Sequence, residues 1–429
     1  MCDISRRGAK RTVRVVVAIA LVIMAAEAAF AQGVGAPPAD APADVRMDPE
    51  LPTAIVPPSG LAPVIPGVVS PGYYVVPSFR LTEEFDSNIF ATSSNRQWDF
   101  ISRFSPGLTA GYRSDPFTLM LNGGFDAAVY ARHPDLNDAT QGWHLSLDSI
   151  YRPIRPLAFG LTTSYIKTET PSTLPIPIGF SPTVLAPAQV LEFGLVRTTF
   201  LTVAPSVAYQ FTPTWWGTAA YSYIHDTIEG GVDTTANNIE LRLYHSFGSR
   251  DTGVLGYRTT IVDNGDGFPQ AVDYAPTVGW THLFTPQTKL SVEGGPLFAN
   301  DGSVNPNVTA RFEHHFQFAA IGLGYTRSDG FLLGEPGLVR TETFQAFFDW
   351  RPVKNLSLSL APAVTNLWGD QIRYTRFYSL IASATYPILS WLTANATYRY
   401  GFQETSGSGS IPRSIFSLSL EASYPVRVH

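Results

Sequence analysis

The stretch "YSLIASATYPILSWLTANATYRYGF", residues 378–402, contains two runs in which every second residue is apolar. Tyr378, Leu380, Ala382, Ala384 and Tyr386 share one parity, while Ser379, Ser383 and Thr385 share the other, with Ile381 as its exception. After a break at 387–391, Leu392, Ala394, Ala396, Tyr398, Tyr400 and Phe402 oppose Thr393, Asn395, Thr397 and Arg399. Successive side chains of a strand point to opposite faces, so this segment is a hairpin with one oily and one wet surface. The oily surface faces either a soluble core or lipid.

Charged residues make up 15% of the chain and aromatics 13%, a charge content well below that of a soluble domain. Yet outside the N-terminus no stretch approaches the roughly 18 consecutive apolar residues of a membrane helix. Low charge without an apolar run is what alternating strands produce.

The N-terminus has the grammar of an export signal. Arg6, Arg7, Lys10, Arg11 and Arg14 precede an apolar run from Val15 to Ala26, and Ala29-Phe30-Ala31 supplies a small-x-small cleavage site, so residues 1–31 are expected to be removed after Ala31. Five basic and two acidic residues leave with it, which moves the formal net charge from -6 to -9 and argues against a nucleic-acid partner. Cys2, the only cysteine, leaves too, and the mature chain has no internal disulfide. Residues 32–78 hold 11 of the 34 prolines, in repeats such as "APPADAPAD", and are expected to form a disordered periplasmic arm of polyproline character.

From Phe79 to the C-terminus, alternating runs are joined in turn by short and long connections. The short ones fall at 113–116, 152–156, 212–214, 248–252, 285–288, 314–317, 351–355 and 387–390, rich in the proline, glycine and aspartate that set turn dihedrals. The longer ones fall at 91–97, 132–142, 169–196, 226–237, 263–270, 299–306, 328–340, 366–372 and 403–412. Eight turns and nine loops give about 18 strands with both termini on the turn side. Strand edges read from sequence carry errors of a few residues, and 16 is the other count the pattern allows. The fold expected is all-β: a closed, antiparallel transmembrane β-barrel, an up-and-down meander with periplasmic turns and extracellular loops.

Lipid is favoured over a soluble core because the parity opposite the oily one carries Glu240, Arg242, Arg258, Glu293, Arg311, Glu313, Arg399 and Glu421. Burying these in a dry interior costs several kcal/mol per unpaired ion, whereas a wet lumen hydrates them. They are the expected pore-lining residues. Arg376 is the visible charge on the oily parity, at the loop end of its strand. Aromatics toward strand ends would form interfacial girdles. The last strand, Phe416 to Tyr424, alternates cleanly and is similar to the C-terminal signal read by barrel-assembly machinery, although the chain ends "YPVRVH" without a terminal aromatic.

Residues 83–130 carry an acidic-aromatic strand, then Asp86, Asn88, Ile89 and Phe90 in a D-x-N-hydrophobic-F loop, then Asp99 and Pro106-Gly107-Leu108. This stretch resembles the opening of the beta-barrel porin families of Gram-negative outer-membrane proteins, the second type above all. The resemblance implies an outer-membrane barrel and, for some members, a link to exopolysaccharide export.

Three local patterns were weighed for chemistry. His144-Leu145-Ser146 is similar to the His-x-Ser of outer-membrane phospholipases, but Trp143, Leu145 and Leu147 claim the lipid face and send His144 and Ser146 into the lumen. Glu313-His314-His315-Phe316 lacks a third ligand on one face, and Asp263 to Gly267 lacks the spaced ligands of an EF-hand. No catalytic residue, metal or cofactor is expected. The function expected is a porin-like channel for passive diffusion of small hydrophilic solutes. The alternative is an accessory barrel of an exopolysaccharide export system, plugged by residues 32–78 or by the loop 169–196. Expected partners are outer-membrane lipid and lipopolysaccharide, the assembly machinery, polysaccharide-export components in the alternative, and other copies in an oligomer.

Overall fold

The computed structural model describes residues 72–169, 194–265, 267–332, 335–369 and 374–428. The expected signal, most of the expected arm and most of the loop 169–196 therefore lie outside the described residues.

Eighteen strands follow one another: β1 (Gly72–Asp86), β2 (Asp99–Arg113), β3 (Phe117–Tyr130), β4 (Asp138–Ile154), β5 (Leu157–Thr168), β6 (Thr198–Gln210), β7 (Trp215–Ile228), β8 (Thr234–Ser246) and β9 (Asp251–Asp263). The second half comprises β10 (Ala271–Thr285), β11 (Thr288–Ala299), β12 (Val304–His315), β13 (Ala319–Leu332), β14 (Glu335–Val353), β15 (Leu356–Trp368), β16 (Thr375–Leu389), β17 (Leu392–Thr405) and β18 (Gly409–Ser423). A last short segment, Val426–Val428, prolongs β18 past Pro425 and pairs with Tyr73 to Val75 of β1. Each strand pairs antiparallel with the next, and β1 pairs with both β2 and β18. The sheet is therefore a closed meander of 18 strands, and no ladder edge faces lipid.

All eight short connections fall where the turn residues place them, two to four residues long at one end. The opposite end differs from expectation in one respect. Connections expected at 226–237 and 403–412 shrink to 229–233 and 406–408 because the strands run on, and within the stretch expected as a loop at 328–340 β13 reaches Leu332 and β14 starts at Glu335. In these stretches the apolar alternation fades, while backbone pairing continues the ladder. Backbone pairing outlasts the lipid-facing pattern once strands rise above the apolar band. The wall also begins at Gly72, seven residues before Phe79, with Tyr74 and Val76 turned inward and buried, Tyr74 lying directly over Gly111 of β2.

Which face is which follows from β8. Ile239, Leu241 and Leu243 are 43%, 48% and 37% exposed, whereas the Glu240 and Arg242 side chains between them are 12% and 9% exposed. A water-soluble domain would reverse that order. At the turn end, Phe211, Phe247, Phe284, Phe316, Phe318 and Trp391 project from the wall; at the loop end Trp98, Phe100, Trp143 and Phe298 do so. Two aromatic belts around an aliphatic band are the outline of a bilayer-spanning surface.

Candidate functional site

The site is the inner wall of the barrel. Its centre is an ion-paired bridge: Arg242 of β8 reaches Glu240 two residues away on its own strand and donates from Nη1 to Glu293 of β11 at 2.9 Å. Three strand spacings separate β8 from β11, roughly 14 Å along the sheet. Only side chains leaning across a concave surface close that gap, so the pair fixes this face as the inside. Gly256 of β9 and Gly279 of β10 lie beneath the bridge; a Cβ on Gly256 would stand 3.1 Å from Glu293 Oε1, and one on Gly279 would stand 2.9 Å from Glu293 Cβ. Thr277 Oγ1 donates to the remaining Glu293 oxygen at 2.6 Å.

The other expected pore-lining residues are distributed around the same face. Arg311 and Glu313 pair with one another on β12, and Glu421 of β18 is paired with Arg80 of β1. Arg258 is buried, opposite Glu240 in register, and Arg399 stands between Ile381 and Ile415. Glu240, Arg242 and Glu293 are thus brought together, while the other five belong to separate stations of the wall. Ile381, the exception to the hairpin's parity, faces inward beside Arg399.

Several wall charges were not singled out from sequence. Arg103 of β2 pairs with Glu84 of β1 at 3.2 Å, and Arg413 of β18 pairs with Asp86 of β1 at 2.6 Å. The signal was there: Arg80, Glu84 and Asp86 share one parity, as do Arg413 and Glu421, and a closed barrel must set its first and last strands side by side.

Toward the loop end apolar clusters join the charged groups of the wall. Phe200, Ile224, Ile228, Ala236 and Val262 form one buried cluster, and Ile89, Ile101, Ala128 and Tyr130 form a second. Segments folded in from the loops pack on them: Leu338 and Val196 on the first, Phe90 and Leu195 on the second. The β13–β14 tip is tied down by Gly337 N–H donating to Asn264 Oδ1 at 2.8 Å, while Asn264 Nδ2 donates to Thr234 at 3.0 Å. Asp226 of β7 is fully buried in this region, and neither of its carboxylate oxygens has a hydrogen-bond partner.

The D-x-N motif shapes this mouth. Asp86 accepts from the Asn88 amide at 2.9 Å, and the Asn88 side chain donates to the carbonyls of Thr92 and Pro412 at 2.9 and 3.1 Å. Asp99 accepts from the backbone amides of Arg132 and His133 and meets the His133 ring at 2.7 Å, fastening the β3–β4 connection. These motif residues staple loops to the wall.

The residues weighed for chemistry do not assemble a reactive centre. His144 and Ser146 lie on the inner face of β4, with the His144 ring against Gly124, whereas His314 of β12 projects outward and bonds Thr288. Among the described residues no three of His, Cys, Asp or Glu converge as metal ligands.

A closed sheet with an apolar, aromatic-belted exterior and a charged interior defines a transmembrane β-barrel. No protein-family model and no curated protein matches the chain, so the likeness to the second beta-barrel porin family stays with residues 83–130. Solved barrels similar to it include Pseudomonas aeruginosa OpdL, at 11% identity over 82% of this chain and 99% of that one, with a TM-score of 0.47. Acinetobacter baumannii OccAB4, at 10% identity and TM-score 0.47, covers 83% of this chain and 98% of its own. Pseudomonas aeruginosa OpdK with vanillate gives 11% identity, TM-score 0.46, and 82% and 99% coverage. At these TM-scores the strand count and connectivity rest on the chain's own pairing.

Proposed function

We propose that this chain is a porin-like channel of the Gram-negative outer membrane, passing small hydrophilic solutes down their gradients with no catalytic step. Barrels of 16 to 18 strands are wide enough to leave an aqueous bore, whereas about 8 strands fill with side chains. The observation that carries the reading is the Glu240–Arg242–Glu293 bridge, which holds opposite charges against one another on the inner wall. With Arg311–Glu313 and Arg80–Glu421 it would impose a transverse field on a passing solute and give modest ion selectivity. Residues 1–31 act as the export signal and Phe416 to Tyr424 as the assembly signal in this reading.

Planar-bilayer recording on the refolded, detergent-purified protein tests it. Stable nanosiemens-scale steps are expected. Silence from a correctly folded barrel overturns the open-channel reading. A second reading, an accessory barrel with a shut mouth, draws support from the segments at Ile89, Leu195 and Leu338 folded onto the wall. It predicts silence that ends when those segments or residues 32–78 are removed.

A further inference from the structure

The outer face is apolar around most of its loop-end rim, but over five adjacent strands it is not. Arg327 of β13, Glu342 of β14, Asn366 of β15, Arg376 of β16 and Glu404 of β17 stand opposite one another in register, each on the outward parity. Two residues nearer the turn end, the same strands present Tyr325, Phe344, Val364, Tyr378 and Phe402, so the polar row sits directly on top of an aromatic one. The sequence reading found Arg376 alone. The other members emerge only when β13 to β17 are aligned.

Immediately below the row lies a groove of about 770 Å3 in the lipid-facing surface, bordered by Phe312, Leu323, Tyr325, Phe344 and Tyr378 and floored by small residues such as Ala346. Its volume falls in the range of small-molecule sites, about 300 to 1,000 Å3.

The polar row is wired in a way that leaves cationic groups available. Glu342 is already engaged, accepting from the Tyr325 hydroxyl at 2.9 Å and from Asn366 at 3.2 Å. Arg376 bonds Asn366 at 2.8 Å and the Tyr374 hydroxyl at 2.7 Å, both neutral groups. Neither Arg327 nor Arg376 makes an ion pair among the described residues; their other side-chain partners are the neutral hydroxyls of Tyr325 and Tyr378. Trp368 lies above, with the Arg327 and Arg340 guanidinium groups 5.7 and 6.0 Å from its ring centroid.

We propose that the groove and the row above it form one binding site for a phosphorylated, multiply acylated sugar lipid of the outer leaflet. Guanidinium groups pair with phosphate through parallel N–H donors, which assigns the phosphate to Arg327 and Arg376. The row as a whole carries two arginines and two glutamates, so it suits neither a plain anionic headgroup nor a strongly charged protein patch. Carboxylate and amide acceptors beside arginines, with the flat faces of Trp368 and Tyr374, match a headgroup that combines phosphate with hydroxyl-bearing rings. The acyl chains take the groove. Placing the loop end in the outer leaflet rests on the proposed outer-membrane reading, with turns periplasmic and loops extracellular.

Native mass spectrometry of the detergent-solubilised barrel, mixed with diphosphorylated lipid A, its dephosphorylated form or phosphatidylglycerol, tests the site. Retention of one diphosphorylated lipid A through detergent release is expected. Arg327→Ala with Arg376→Ala should weaken retention at least tenfold, and Ala346→Phe, which fills the groove with the arginines intact, should weaken it similarly. Heat-dependent gel migration monitors folding of both variants. The wild-type comparison among the three lipids stands even if a variant misfolds. No preference for the phosphorylated sugar lipid over phosphatidylglycerol overturns the proposal. So does the groove proving to be a contact between copies, seen as dimers or trimers that Ala346→Phe dissociates without changing lipid retention. Conductance is read separately, so loss of the channel reading and loss of this site are distinguishable.

Discussion

Arg413, near the start of the last long strand, donates through Nε to both carboxylate oxygens of Asp86, near the end of the first, and through Nη2 to Oδ2 at 2.6 Å. The two residues are 327 positions apart, and their side chains are 4% and 1% exposed. Eight residues further along β18, Glu421 meets Arg80 in the same seam, but there the side chains are 25% and 38% exposed. The closing seam is therefore pinned by one buried pair and one solvated pair.

Those two pins differ in what their loss costs. Removing one member of a buried pair strands the other charge, and Arg413→Ala should lower stability by about 3 to 5 kcal/mol. Arg80→Ala, at the solvated pair, should cost under about 1 kcal/mol. Urea titrations of barrels refolded into vesicles read both; equal losses would mean that burial does not set the difference.

Selectivity should follow the wall charges. Replacing Glu240 and Glu293 together by Gln leaves Arg242 without its carboxylates. The reversal potential under a salt gradient should then move toward anion preference, and Arg242→Gln should move it the other way. An unchanged potential in both variants would place the current path away from this bridge.

Leu241 and Glu240 are adjacent and face opposite solvents. Leu241→Arg puts a cation into the apolar band and should destabilise the barrel by about 2 to 4 kcal/mol, whereas a cation placed at the Glu240 position remains in water. The urea midpoint distinguishes them, and similar behaviour would contradict the assignment of faces.

At the mouth, Asn264→Ala removes the acceptor for the Gly337 amide and the donor to Thr234. A hydrogen bond of about 1 kcal/mol corresponds to roughly a fivefold change in the population of the docked tip. Single-channel records of the variant should show longer open dwells or larger steps. Identical traces would remove the β13–β14 tip from the conduction path.

Period-two alternation and turn chemistry are local, and they carried the strand count, the eight turns and the inward parity of Glu240, Arg242 and Glu293. The pairing of Arg242 with Glu293, or of Arg413 with Asp86, depends on curvature and closure, which no window of sequence contains. The apolar mouth was hidden for a related reason. Ile224, Ala236 and Val262 continue the inner parity below them, so their switch from water to a packed interior shows only when Leu338 and Val196 arrive from other hairpins. Asp86, Asn88 and Asp99 were legible as a motif, but their work as loop staples emerged with their partners.

Tyr73 lies beside Val428, so the polypeptide begins and ends its wall at adjacent points on the turn side. Such a ring has no privileged starting place. A short linker joining 72 to 428, with new ends opened at 354–355, should give a permuted barrel with the same staves in the same order. The seam thus pairs the two stretches of wall that lie farthest apart along the polypeptide, and the cylinder is complete only when both are in place.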